Sequence, residues 1–133
     1  MLQYADAAFD CRAPQVGEPL FDRLAPYADL WCFVELWVSG PVSRYLGALA
    51  AVLGRYDQAH TYFTQAAALS LRLGAKFDAA RTSLSWGHRL AERNAPSDAE
   101  KARDLLTSAR TAAATHGYAN IERRATKALR LLN

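Results

Sequence analysis

One pattern, met twice along the chain, limits what it can fold into more than any other feature. Leu46-Gly47 is followed by Gly54-Arg55-Tyr56-Asp57 and then by Ala59, Phe63 and Ala66. Trp86-Gly87 is followed by Ala102, Leu106 and Ala109. Gly47 and Gly87 stand 40 residues apart, Ala59 and Ala102 stand 43 apart, and the three extra residues fall in the polar turn around 94–97. A turn is where a helical repeat absorbs an insertion at least cost.

Each position has a physical reason. A glycine after Leu46 or Trp86 lets a second helix approach the first closely. Gly54 follows the end of the first helix, where a positive φ is cheapest for glycine. Ala59, Phe63 and Ala66 recur at i, i+4 and i+7, one stripe of a second helix with Phe63 as knob and the alanines as holes. Small and large residues alternating across a tight helix pair make the tetratricopeptide pattern. The expected fold is therefore all-α, a right-handed stack of antiparallel helical hairpins of about seven helices.

Start and stop signals place those helices near 2–12, 19–28, 41–53, 56–73, 77–93, 98–116 and 119–132. Arg72-Leu73-Gly74 puts a basic last turn before a glycine stop. Asp78 is the expected N-cap of the next helix, and Ser97-Asp98-Ala99-Glu100 has the form of a capping box. Gly117 closes that helix, and 118–132 forms an amphipathic final helix with Ile121, Ala125, Ala128 and Leu132 on one side. The run Leu30–Val38 is rich in β-formers, but a single short strand there would have nothing to pair with, so a packed connector is expected. The organisation read from this is one helical-repeat domain, with a partial repeat and connector over 1–40, repeats over 41–74 and 77–117, and a capping helix over 118–133.

Composition narrows the class further. The chain has 133 residues, 51% of them apolar and 22% charged, enough to bury a core without disulfides or metals. Cys11 and Cys32 have neither metal-ligand nor Cys-x-x-Cys spacing, and two free thiols are expected. The first ten residues carry no basic n-region of a signal peptide, and the stretch Leu30–Val38, interrupted by Glu35, is too short to span a bilayer. A cytoplasmic protein without membrane contact is expected.

Gly40-Pro41-Val42-Ser43-Arg44-Tyr45-Leu46-Gly47, then Leu53-Gly54-Arg55-Tyr56-Asp57-Gln58-Ala59 with Phe63, then Arg72-Leu73-Gly74-Ala75, form an ordered string of matches. With Leu24-Ala25-Pro26-Tyr27-Ala28 upstream, this string over roughly 19–117 resembles the C-terminal tetratricopeptide-like repeats of large bacterial multidomain signal-transduction ATPases of the STAND type. In that family a nucleotide-binding switch sits beside a cyclase-type or helix-turn-helix output domain. The chain lacks a Gly-x-x-x-x-Gly-Lys-Ser/Thr loop, cyclase metal carboxylates and a helix-turn-helix. The resemblance implies a regulatory repeat region, a tail or separate remnant of such a protein, and transfers no catalytic residue.

Residue chemistry points away from catalysis. His60, His88 and His116 are spaced by 28 residues in each case, so local spacing brings no two together, and neither a metal nor a cofactor is expected. Ser39, Ser43 and Ser83 stand in no Gly-x-Ser-x-Gly context. The first helix of each hairpin in such a stack lines the concave face, which nominates Arg44, Ala48, Arg81, His88 and Glu92 as a mildly basic groove for an acidic peptide or carboxylate. Trp31 and Trp37 have no role in the repeat and are candidate interface residues, with a homodimer through the uncovered N-terminal end as one outcome.

Net charge is +3, and all of it resides in 117–133, where Arg123, Arg124, Lys127 and Arg130 face Glu122 alone. This basic patch is read first as the polar outer face of a capping helix, and second as a nucleic-acid contact without interleaved aromatics. Three functions follow in order. The first is a protein–protein interaction module that binds a peptide, another subunit or other domains of a larger regulator. The second is a sensing domain with a small effector between helices, and the third is nucleic-acid binding through the last helix.

Overall fold

The computed structural model describes residues 13–34 and 37–132, and these form six α-helices and a two-stranded ribbon. The helices are α1 (Pro14–Leu24), α2 (Val42–Val52), α3 (Tyr56–Arg72), α4 (Lys76–Arg93), α5 (Asp98–His116) and α6 (Ala119–Leu132). The ribbon strands are β1 (Trp31–Val34) and β2 (Trp37–Pro41), and a 3-10 turn over Ala25–Tyr27 follows α1. The helix expected over 2–12, like Cys11, lies outside the described residues. The chain divides between Leu69 and Ser70 into two compact units.

In the first unit, every residue from Val42 to Ala51 is buried, as the nearly uninterrupted apolar and small composition of α2 requires. Its end is a Schellman closure: Gly54 takes φ +75, its amide reaches the Ala51 carbonyl at 3.1 Å, and the Arg55 amide reaches Ala50 at 2.8 Å. Gly74 closes α3 the same way, through Leu71 at 3.1 Å and, from the Ala75 amide, Ser70 at 2.9 Å. Phe63 of α3 lies on Gly47 of α2 so closely that a Cβ at Gly47 would meet its ring at 2.9–3.0 Å. α1 packs on α2 with Gly17 against Leu49 and Leu53, and it buries Phe21 and Leu24. Its Phe21 meets Tyr62 edge-on at 5.7 Å, and Glu18 accepts from Arg55 at 2.6 Å.

Two expectations fail in this unit. The helix expected over 19–28 begins at Pro14, runs through Pro19 and ends at Leu24. Pro14 supplies the preset φ of a first helical residue. The bond lost at Pro19 is offset by burying Gly17, Phe21 and Leu24 on a single stripe. Nor is 30–39 a packed connector without pairing. It splits into β1 and β2, which pair antiparallel with Cys32 opposite Gly40 and Phe33 opposite Val38, and the register slips between these pairs. The partner that a lone strand would lack lies within the same run.

The second unit is a three-helix assembly. Ala80 and Leu84 of α4, Leu106, Ala109 and Ala113 of α5, and Ile121, Ala125, Ala128 and Leu129 of α6 form its apolar core. Burying a leucine such as Leu106 completely contributes about 1.5–3 kcal/mol relative to leaving it exposed. Contacts run in opposite senses along α4 and α5: Arg93 meets Asp98, Gly87 lies against Ala102 and Leu106, and Phe77 meets Tyr118 just past the end of α5. The pair is antiparallel, and α6 then returns along α4.

Helix starts differ from expectation here. Ser97 takes φ −88 and ψ −7 and makes no side-chain cap bond, so it and Glu100 form no capping box. A capping hydroxyl needs extended backbone to reach the second or third amide, and Ser97 is helical. Asp98 instead clasps the preceding turn: both its oxygens accept from Arg93, and one also accepts from the Ala95 amide at 3.2 Å. Asp78 is not an N-cap either, because α4 begins at Lys76 after Ala75. It is buried in the first turn, 3.8 Å from Arg81.

Candidate functional site

α4 spaces Arg81, His88 and Glu92 at i, i+7 and i+11, a separation that keeps all three on one stripe of the helix. Arg81 is held at its own end by Asp78 and lies 5.6 Å above the Phe77 ring, which in turn meets Tyr118 edge-on at 5.0 Å. Glu92 accepts from Arg89 at 2.7 Å. His88, half-buried between them, is the centre of the cluster.

The electrostatics of His88 bring in a second helix. Burial lowers its pKa from the ordinary 6.5, and Arg124 pushes the same way, as do Arg89 and Lys127, while Glu92 opposes them. These influences favour the neutral imidazole, which has one donor and one acceptor nitrogen. Arg124 and Lys127 belong to α6, and both are exposed. α4 and α6 pack on one another, and the charges of Arg124 and Lys127 act on His88.

α6 separates its cations by helical phase. Ile121, Ala125, Ala128 and Leu129 are buried. Arg124 borders that apolar stripe, and Lys127, one turn on, lies in a row with it that also neighbours Arg123 and Arg130 on the outer face. Leu131, one turn after Lys127 and two after Arg124, shares their flank and is 80% exposed.

The remaining nominated residues lie elsewhere. Arg44 and Ala48 belong to α2 of the first unit, and both are buried. The Arg44 guanidinium sits 4.3 Å from the Tyr45 ring centroid. Of the five groove residues, Arg81, His88 and Glu92 are those that solvent reaches. Trp31 is half-buried on β1, opposite Pro41, and Trp37 lies on β2 opposite Val34.

Two features of the second unit lie outside the repeat pattern. The Arg93–Asp98 clasp could have been suspected from a basic residue five positions before an acidic one across a turn. The Lys101 amine lies 4.5 Å over the Trp86 ring, and no local spacing signals that contact. Among the described residues no group of three or more His, Cys, Asp or Glu is placed to hold a metal ion, and no helix is long and apolar enough to cross a membrane. No protein-family model matches the chain, and neither a curated protein nor a solved structure matches it.

Proposed function

We propose that the chain is a non-catalytic protein–protein interaction module of a bacterial signalling or transcriptional regulator. In this reading its hairpins form a tetratricopeptide-like right-handed stack, and it works in the cytoplasm by docking a peptide, another subunit or other domains of a larger regulator. The observation that carries the reading is a packing device repeated in two separately compact units. Gly47 lies beneath Phe63 and Gly87 beneath Leu106, each too close for a side chain. Ala59, Phe63 and Ala66, and their counterparts Ala102, Leu106 and Ala109, are all buried.

Repeats of this kind cannot bury an apolar face alone, and stacking leaves an extended surface made of first helices that suits peptides better than small molecules. The test is selection of peptides from a displayed random library against the purified chain, followed by titration of those enriched. Related sequences that bind saturably support the reading. A library that enriches nothing above an unrelated helical control sinks it.

A further inference from the structure

The flank shared by α4 and α6 in the second unit fits one kind of partner. Arg124 and Lys127 place two exposed cations one turn apart. Glu92, the carboxylate whose charge acts on His88, is already engaged by Arg89 at 2.7 Å. Leu131 continues the same row and is 80% exposed, an apolar side chain left beside two charges. All of the chain's net charge resides in this terminal segment.

We propose that Arg124, Lys127 and Leu131, beside His88, form a docking strip for an acidic protein segment that presents carboxylates one helical turn apart and an apolar side chain next to them. Arg124 donates to a carboxylate in a forked geometry and Lys127 adds a point charge. Leu131 is covered by the apolar side chain, which removes its surface from water. Neutral His88 at the edge offers a donor or an acceptor without adding charge of its own. Charge complementarity selects the acid and the leucine selects a protein over a polyanion, since Leu131 gains nothing against a phosphate backbone. This names the partner chemistry for the interaction-module reading and rests on it.

The experiment is fluorescence anisotropy of the full chain with a labelled synthetic peptide carrying Glu and Leu at helical spacing. A Lys/Leu counterpart and a labelled DNA duplex are titrated in parallel. The Glu/Leu peptide binds, and more weakly as salt rises. Arg124→Glu combined with Lys127→Glu weakens it by at least about tenfold and gains the Lys/Leu peptide, a reversal that a misfolded variant would not show. Leu131→Ala weakens it by up to about tenfold, the loss of roughly one buried apolar side chain. Arg123→Glu combined with Arg130→Glu, on the outer face beside Lys127, weakens it by clearly less than the Arg124/Lys127 pair does, within about threefold.

Absence of Glu/Leu binding overturns the proposal. So does an equal loss from the outer-face pair, or DNA binding tighter than the peptide and lost with Arg124 and Lys127. Selected peptides indifferent to those two residues would remove this strip and leave the interaction-module reading standing. An empty selection would remove that reading itself.

Discussion

Gly87 and Leu106 approach so closely that a Cβ on the glycine would lie 2.8 Å from the leucine Cγ and 3.3 Å from the Ala102 carbonyl oxygen. Real Cβ atoms do not sit at the first distance, and Leu106 is fully buried, so its branch point cannot swing into solvent to make room. The glycine is there for proximity. It gives up helix propensity so that two helices can close on one another, and Gly47 makes the same exchange beneath Phe63.

Gly87→Ala is therefore expected to destabilise the chain even though alanine is the better helix former. Propensity favours the substitution by about 1 kcal/mol. Overpacking opposes it by about 1–3 kcal/mol. Leu106→Ala alone leaves a cavity and costs about 2–5 kcal/mol. In the double variant the new methyl occupies part of that cavity, so the two effects fall short of their sum by about 1 kcal/mol or more. Urea unfolding of the four members of the cycle checks this, and strict additivity would mean that the residues do not share the contact.

The same contact explains why so much of the fold was readable from residues. From Val42 onward, α2, α3 and α5 end at glycine stops while α4 ends at Asn94 with φ +52, and the stripe spacing of Phe63 and Leu106 names the packed face. What was not readable depended on tertiary choice. Pro19 looks like punctuation, yet burial of Phe21 and Leu24 carries α1 through it. Ser97 has the right chemistry for a cap, but its helical backbone denies it the geometry. The strands of 31–41 hid in one apolar run because each is the other's partner. At the candidate site, His88 was nominated from α4 and Arg124 and Lys127 from α6, as separate sets. Only the return of α6 along α4 brings them together, and no local spacing encodes that.

The Arg93–Asp98 clasp predicts a specific loss of stability in acid. Hydrogen bonds from Arg93 hold the Asp98 carboxyl below its ordinary 3.8, helped by the Ala95 amide and the Arg93 charge and opposed by burial. A carboxyl with a lowered folded pKa contributes stability that is fully present above the unfolded value and lost as pH falls through the folded one. Asp98→Asn is expected to cost about 1–2 kcal/mol at neutral pH, after allowance for the partly exposed Arg93. Its unfolding free energy should also change less than the parent's below pH 4, the window under the ordinary 3.8. Parallel acid limbs for parent and variant would show that the clasp makes no such contribution.

His88 acts in a different pH window and with its own sign. Burial, Arg124, Arg89 and Lys127 all disfavour its protonated form, so the folded chain binds this proton less readily than the unfolded chain does. Stability is unaffected well above 6.5 and declines as pH falls from 6.5 through the lower folded value. His88→Gln should flatten that decline. Arg124→Gln should move the His88 midpoint upward, because it removes the largest charge contribution to the lowering. Imidazole proton shifts followed through a pH titration report the midpoint directly, and a downward move would contradict the placement of Arg124 beside His88.

Thr82 offers a substitution expected to stabilise. It is fully buried on α4, and its hydroxyl has no hydrogen-bond partner among the described residues. A buried hydroxyl without a partner loses its hydration and recovers nothing, whereas valine keeps the branched shape and replaces the oxygen with a methyl group. Thr82→Val should therefore raise the unfolding free energy by about 1 kcal/mol. Valine is a slightly different helix former, but the difference is only a few tenths of a kcal/mol and does not decide the sign. Thermal and urea unfolding should agree on the gain. A loss of stability of similar size would mean that the hydroxyl makes a hydrogen bond in solution, for instance to the backbone carbonyl four residues earlier.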